Sequence, residues 1–202
     1  MYNTWIREPK QKRSIEKKDR IIKAGLELFS KKGYYNTNTI EIAKSAGVSI
    51  GTVYSYFKDK KSIYIEAFEY FLNQNALPVI EKIADLPKQL NDTLLVEKII
   101  DAFLEFYQAT SSAMKELTTT MSIDEEICKY FCDYENKYFL KFSQAFKRHG
   151  IASSNMLEKI YLCYTLLDLL GLEKTNYHHN DIHFDTLKKE AAKAILYILS
   201  DK

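Results

Sequence analysis

The scarcity of turn residues constrains this chain most: 6 Gly and 3 Pro in 202 residues leave too few reversals for a β-rich fold. Apolar residues recur at threes and fours along most of the chain, so an all-α protein of about nine helices is expected. The length is enough for a proper core, as one compact domain or as a small domain joined to a larger one. No stretch approaches a membrane span. The opening MYNTWIREPKQKR lacks the apolar run of a signal peptide, which with three cysteines at no disulfide spacing predicts a cytoplasmic protein.

The net charge of +2 hides a separation of poles. Residues 1–61 hold 14 Lys and Arg against 6 Asp and Glu, a net +8, and the remaining 15 basic and 21 acidic side chains give −6. A basic N-terminal module on an acidic body suits a DNA reader, attracted to phosphate at one end and repelled at the other.

The basic pole coincides with the stretch NTIEIAKSAGVSIGTVYSYFKDKK, Asn38 to Lys61. Asn38 is placed to cap a short helix, with Glu41 completing a capping-box-like pair, and Ile42 and Ala43 forming its apolar underside. Gly47 breaks that helix, Val48 plugs the turn, and Ser49 caps a second helix whose Val53 and Phe57 fall four apart. Facing away from those two are Ile50, Gly51, Thr52, Tyr54, Ser55 and Tyr56, a surface of hydroxyls and small groups without a carboxylate. Lys58, Lys60 and Lys61 follow at once. Such a helix suits a major groove, where its N-terminus adds a partial positive charge; the competing reading is a buried two-helix corner with a solvated polar face.

The run IAKSAGVSIGTVYSYFKDKKSIY resembles the DNA-binding region of the TetR (tetracycline-repressor) family of bacterial transcriptional regulators, from about Ile15 to Phe68. The rest of the chain matches only in helical style and length. The resemblance implies a flexible basic arm over 1–13, a three-helix helix-turn-helix domain over 14–61, and a helical ligand-binding and dimerisation domain over 62–202. Position by position it assigns Thr39, Thr52, Tyr56 and Lys60 to the phosphate backbone, and Ile50, Gly51, Tyr54 and Ser55 to base edges or thymine methyls. No Arg, Gln or Asn lies on the recognition helix, so part of the specificity is expected from DNA shape. Ile40 stands where a polar reader is common and is not assigned.

The first helix is expected over Ser14 to Lys32, stopped by Gly33, and the small-bundle core at Ile22, Leu26, Phe29, Ile42, Ala43, Val48, Val53 and Phe57. The arm before it, with Arg7, Lys10, Lys12 and Arg13 around Pro9, is either a solvated tail or a minor-groove contact. Asp59 caps a fourth helix from Lys60 toward Ile83, bent or ended by Pro78, with Ile65, Phe68, Phe71 and Leu72 buried. Pro87 and Asn91-Asp92 mark a linker. Helices follow from Thr93, from Met114 to Met121, from Asp124 to His149 with a stop at Gly150, from Ser154 to Leu170, and from Phe184 to Leu199, the last two separated by GLEKTNYHHNDIH.

Apolar residues nearly encircle the helix that starts near Ser154, so something must cover it: either the rest of the same subunit or a second copy. A two-fold dimer through Leu157, Ile160, Tyr161, Leu167, Leu187, Ala191, Ala194, Ile195 and Ile198 would bury both final helices and present two recognition helices about 34 to 36 Å apart. The family's usual body holds a small-molecule pocket, and Phe103, Phe106, Tyr107, Met114, Thr118, Met121, Tyr134, Tyr138 and Tyr164 are candidates to line one for an apolar or amphipathic ligand; they serve equally well as plain core. Cys128 and Cys132, and His178, His179 and His183 beside Asp181, are read as filler thiols and a solvated loop, with no metal and no cofactor expected. No nucleophile-base, phosphate-loop or paired-carboxylate pattern declares an enzyme. Two functions remain: a ligand-responsive repressor binding a palindromic operator as a homodimer, or an architectural DNA-binding protein whose body recruits a protein partner.

Overall fold

The structure, a computed structural model, describes residues 12–84, 93–148 and 155–200. Residues 1–11 of the expected arm, the linker at Pro87 and Asn91-Asp92, and the stop at Gly150 lie outside them. All regular structure among the described residues is helical: α1 Lys12–Lys32, α2 Thr39–Ser45, α3 Ile50–Tyr56, α4 Lys60–Ala84, α5 Thr93–Met121, α6 Glu125–Arg148, α7 Met156–Leu172 and α8 Phe184–Leu199, with a π-helical turn at Glu173–Tyr177. Among these residues no helix is long and apolar enough to cross a membrane.

Three expectations need correction. The separate helix at Met114–Met121 does not exist, because α5 continues unbroken through the threonine run. There the Thr118 hydroxyl donates to Met114 O at 3.0 Å and that of Thr119 to Lys115 O at 2.7 Å, so both groups are satisfied within the helix instead of competing with it. Pro78 does not end α4, which stays helical to Ala84. The stretch between the last two helices is not all loop, since α7 runs straight into the π-helical turn, ended by His178 in the left-handed region at φ 52°.

The chain divides into two compact units, one of residues up to Gln74 together with Ser112–Cys128, the other of Asn75–Ser111 and Lys129–Lys202. The first is built on Ile21, Ile22 and Phe29 of α1, Ile42 and Ala43 of α2, Val53 and Phe57 of α3, and Ile63, Tyr64 and Phe68 of α4, all buried. Of the core expected from sequence, Leu26 and Val48 are only half-buried. Tyr64 is the centre of an aromatic cluster, its ring 5.0 Å from Phe29, 5.0 Å from Tyr34 and 4.5 Å from Phe68. At Gly25 a Cβ would stand 2.9 Å from Ile63 Cγ2, so glycine lets α1 and α4 approach closely.

The second unit packs Val96, Ile100 and Leu104 of α5 against Met156, Ile160 and Leu170 of α7 and Ala191, Ala192, Ile195 and Leu199 of α8. Gly171 is another enforced glycine: a Cβ there would lie 2.6 Å from the Tyr107 ring.

Candidate functional site

The α2–α3 corner is assembled by local chemistry. Asn38 Oδ1 accepts the Glu41 N–H at 3.0 Å, opening α2. The Glu41 carboxylate takes Lys32 Nζ at 2.9 Å instead of closing the expected reciprocal pair, and that hydrogen bond holds its pKa below the usual range. Gly47 at φ 63° closes the helix: Gly47 N–H donates to Lys44 O at 3.2 Å and Val48 N–H to Ala43 O at 3.0 Å, the paired bonds of a left-handed helix stop. Ser49 Oγ then accepts the Thr52 N–H at 3.2 Å and opens α3.

Residues 42–58 contain no Asp or Glu. On the outer side of α3, Ile50 is 39% and Tyr54 53% exposed, with Gly51 and Ser55 also exposed. Tyr54 Oη and Thr39 Oγ1 share a hydrogen bond of 3.1 Å that couples the two helices, and Ser55 Oγ donates to Thr52 O at 2.7 Å. Ile40, on α2, is 69% exposed. Among the described residues nothing demands a glycine at position 51, where a Cβ would find its nearest neighbour 4.0 Å away at Ser49 Oγ.

Two residues assigned from sequence to the outer face point elsewhere. Tyr56 is buried, and its hydroxyl shares a 2.6 Å hydrogen bond with Ser14 Oγ of α1. It lies three residues after Val53 and so belongs to the same helical face, which the i,i+4 pairing of Val53 with Phe57 obscured. Lys60 Nζ donates to Tyr34 O at 2.7 Å and Thr37 O at 2.9 Å and sits 4.2 Å from the Tyr34 ring centroid; burial depresses its pKa. Lys61 is also engaged, 2.7 Å from Glu126 Oε2 and 3.0 Å from Asp124 Oδ2, and its pKa is raised by these partners. Of the three lysines that follow α3, Lys58 is the exposed one. These contacts reach 23 to 65 residues along the chain and leave no local signal.

The nine candidate pocket residues divide between the units. Met114, Thr118 and Met121 belong to the first, where Thr118 is exposed and lines nothing. The buried hydroxyl there is that of Thr120, 1% exposed and donating to Glu116 Oε1 at 2.8 Å; the same oxygen takes the Tyr34 N–H at 2.7 Å. The other six belong to the second unit, in two groups. Phe103 lies 5.9 Å from Phe106, 6.1 Å from Tyr107 and 6.5 Å from Tyr164, while Tyr134 and Tyr138 lie 5.3 Å apart with their hydroxyls hydrogen-bonded at 3.1 Å.

Beside these rings are two carboxylates that sequence reasoning passed over, Glu135 and Asp168. Burial, with Asp168 adding, pushes Glu135 up to about 7, and burial raises Asp168 as well. A signal existed for Asp168, the one charged residue between Lys159 and Glu173.

Of the expected dimer residues, Ile160, Ala191 and Ile195 are 5%, 8% and 6% exposed and belong to the core of their own subunit. Leu167, Leu187, Ala194 and Ile198 are half-buried, whereas Leu157 and Tyr161 are exposed and continue with Leu162 and Leu169 into an apolar stripe on α7. Among the described residues no group of three His, Cys, Asp or Glu could hold a metal ion. His179 Nδ1 and N–H both engage Glu173, at 2.6 and 2.7 Å, and the cysteines are not in disulfides.

Residues 21–67 match the family described as bacterial regulatory proteins, tetR family. The chain is 30% identical over 160 residues to an uncharacterized HTH-type transcriptional regulator, YerO, of Bacillus subtilis, covering 74% of this chain and 55% of that one. It is 42% identical over 60 residues to the Staphylococcus aureus biofilm operon icaADBC HTH-type negative transcriptional regulator IcaR, covering 28% of this chain and 32% of the other. The chain thus spans about half the length, or less, of these curated relatives, which are named as regulators and not as enzymes. In fold it is similar to a TetR-family transcriptional regulator from Mesorhizobium loti, with a TM-score of 0.68 at 19% identity over 93% of this chain and 98% of that one. The helix-turn-helix geometry and these likenesses agree: residues 21–67 carry the DNA-binding region of the tetR family of bacterial regulatory proteins.

Proposed function

We propose that this protein is a cytoplasmic, sequence-specific DNA-binding regulator that acts as a homodimeric repressor on a palindromic operator and is released by a small ligand held in its second unit. The observation that carries the reading is the outer face of α3: capped, free of carboxylates, and bearing a glycine that no internal contact requires. Gly51 admits close approach of a phosphate or base edge. Ile50, Tyr54 and Ser55 stand beside it to read bases, with Thr39 and Thr52 toward phosphates. Tyr56 and Lys60 serve the same surface from behind, by anchoring the end of α3 to α1 and the start of α4 to the α1–α2 loop.

A second copy is the occupant we assign to the α7 stripe of Leu157, Tyr161, Leu162 and Leu169, since a two-fold pair would present two α3 helices to successive major grooves. The negative regulation in the name of the Staphylococcus aureus relative supports repression. For release, the ligand must favour a geometry whose recognition helices no longer fit the half-site spacing.

The test is selection of bound sequences from a random duplex library at near-physiological salt, followed by titration of the winner. A palindrome bound by two copies supports this function. Salt-sensitive binding with no enriched sequence sinks it and favours an architectural protein whose body recruits a partner. In the same assay, substitution of Ile50 or Ser55 should change the preferred sequence.

A further inference from the structure

We propose that Ile40 of α2 is a base-reading residue, and that with Ile50 of α3 it recognises the 5-methyl groups of thymines in the major groove. This rests on the operator-binding reading above and names the chemical group by which the operator is chosen.

Groups able to read a base by hydrogen bonding are scarce on this surface. The α3 sequence IGTVYSY holds no Arg, Lys, Asn, Gln or His, so none of its side chains can make a bidentate pair with a purine. The hydroxyls of the corner are already engaged within the protein: Thr39 Oγ1 with Tyr54 Oη at 3.1 Å, Ser49 Oγ with Thr52 Oγ1 at 2.8 Å, and Ser55 Oγ with Thr52 O at 2.7 Å.

What the corner offers in their place is apolar. Ile40, Tyr54 and Ile50 are all exposed, whereas Ile42 and Val53 on the inner faces of the same two helices are fully buried. One exposed isoleucine would need no explanation. These three are drawn together: the Thr39–Tyr54 hydrogen bond ties the first residue of α2 to the outer side of α3, Ile40 follows Thr39 directly, and Ile50 lies one turn before Tyr54. The surrounding charge suits DNA. Lys44, one turn after Ile40 on α2, is exposed, and the one neighbouring acid, Glu41, is held by Lys32 at 2.9 Å.

On the major-groove edge of a base pair, the thymine methyl is the group that gains from apolar contact. Every other group there is a donor or acceptor, which an isoleucine would strip of water without returning a hydrogen bond. Isoleucine is also stiff at χ1, so little freedom is lost when it meets a methyl. Two such side chains on two helices that are hydrogen-bonded to each other select for the placement of thymines, where a polar reader would select for a purine.

The experiment uses the full-length protein and the operator obtained by selection. Each thymine of the half-site is replaced in turn, in both half-sites, by deoxyuridine, which keeps every hydrogen-bonding group and lacks only the methyl. Binding should weaken at two positions or more, about fourfold for each methyl lost and so about fifteenfold for a symmetric pair. I40A should abolish the uracil penalty at one of these positions and I50A at another, with each leaving the other's penalty in place. Neither should alter the salt dependence of binding, since no phosphate contact is removed. I40V should retain an intermediate penalty, and it decides alone should I40A fail to fold. An operator indifferent to uracil at every position, a half-site without thymine, or an I40A variant that keeps every uracil penalty overturns the proposal while operator binding itself stands. Failure to enrich any sequence overturns the operator reading and this inference together.

Discussion

In the first unit Lys60 aims its ammonium at two backbone carbonyls, Lys61 lies between two carboxylates, and Glu116 accepts from both Tyr34 N–H and Thr120. In the second, Glu135 and Asp168 lie near one another with no counter-charge. The difference fits the two tasks proposed above. A surface that matches DNA gains from charges whose partners are built in, because such pairs hold the start of α4 and the α1–α2 loop in one arrangement. A sensor gains from a charge left uncompensated, because only then does the arrival of a ligand change the energy of the fold.

The contrast breaks most readily at two half-buried glutamates, Glu135 and Glu116, which should respond to neutralisation with opposite signs. Glu135→Gln removes a charge that the folded state resists. Its folded pKa, near 7, lies above the ordinary value of 4.5, so the cost is absent below pH 4.5, grows through that window and is complete above 7. Urea unfolding should therefore show the variant more stable by up to about 3 kcal/mol at pH 8, with the gain fading toward pH 4.5. A variant destabilised at pH 8 would mean that Glu135 has a partner after all. Glu116→Leu should instead destabilise by about 2 kcal/mol, since Tyr34 N–H and Thr120 lose their acceptor. A neutral result would show that the first unit does not depend on built-in partners.

Smaller effects sharpen the division within the first unit. Tyr56→Phe should lose about 1 kcal/mol in the same measurement through the missing bond to Ser14. Were Tyr56 a phosphate ligand facing outward, its loss would weaken DNA binding and leave stability untouched. Gly51→Ala should change stability least, within about 0.5 kcal/mol, because the new methyl meets open space. Its effect belongs to the DNA titration, where about tenfold weaker binding is expected.

The corner around α3 was legible because its signals are local: Asn38 and Ser49 cap, Gly47 takes the left-handed conformation, and Val53 and Phe57 mark a face. Tyr56 was misplaced because a seven-residue helix offers two overlapping pairings, i,i+3 and i,i+4, and only one was followed. The true extent of α5 was hidden by threonines that look like helix breakers until their hydroxyls are seen bonded to the preceding turn. Lys60, Lys61 and Glu116 were beyond reach for another reason, since their partners lie 23 to 82 residues away and nothing in the neighbouring residues encodes such a contact. Asp168, the sole charge in the apolar run 160–172, is legible in the sequence, whereas Glu135 stands among the many charged residues of α6 and nothing local marks it.

The first unit is discontinuous in the chain, closing on Ser112–Cys128 after an excursion through other residues. That arrangement sets an order of events during synthesis. When residue 74 has left the ribosome, α1, α2 and α3 are all present, yet Tyr34 N–H still lacks Glu116 and Lys61 still lacks Asp124 and Glu126. The module completes its hydrogen bonds only after residue 126 has followed, by which time the whole of α5 is also available to fold. On the proposed function, a nascent chain lacks these supports behind the α2–α3 corner until part of the second unit has also been made.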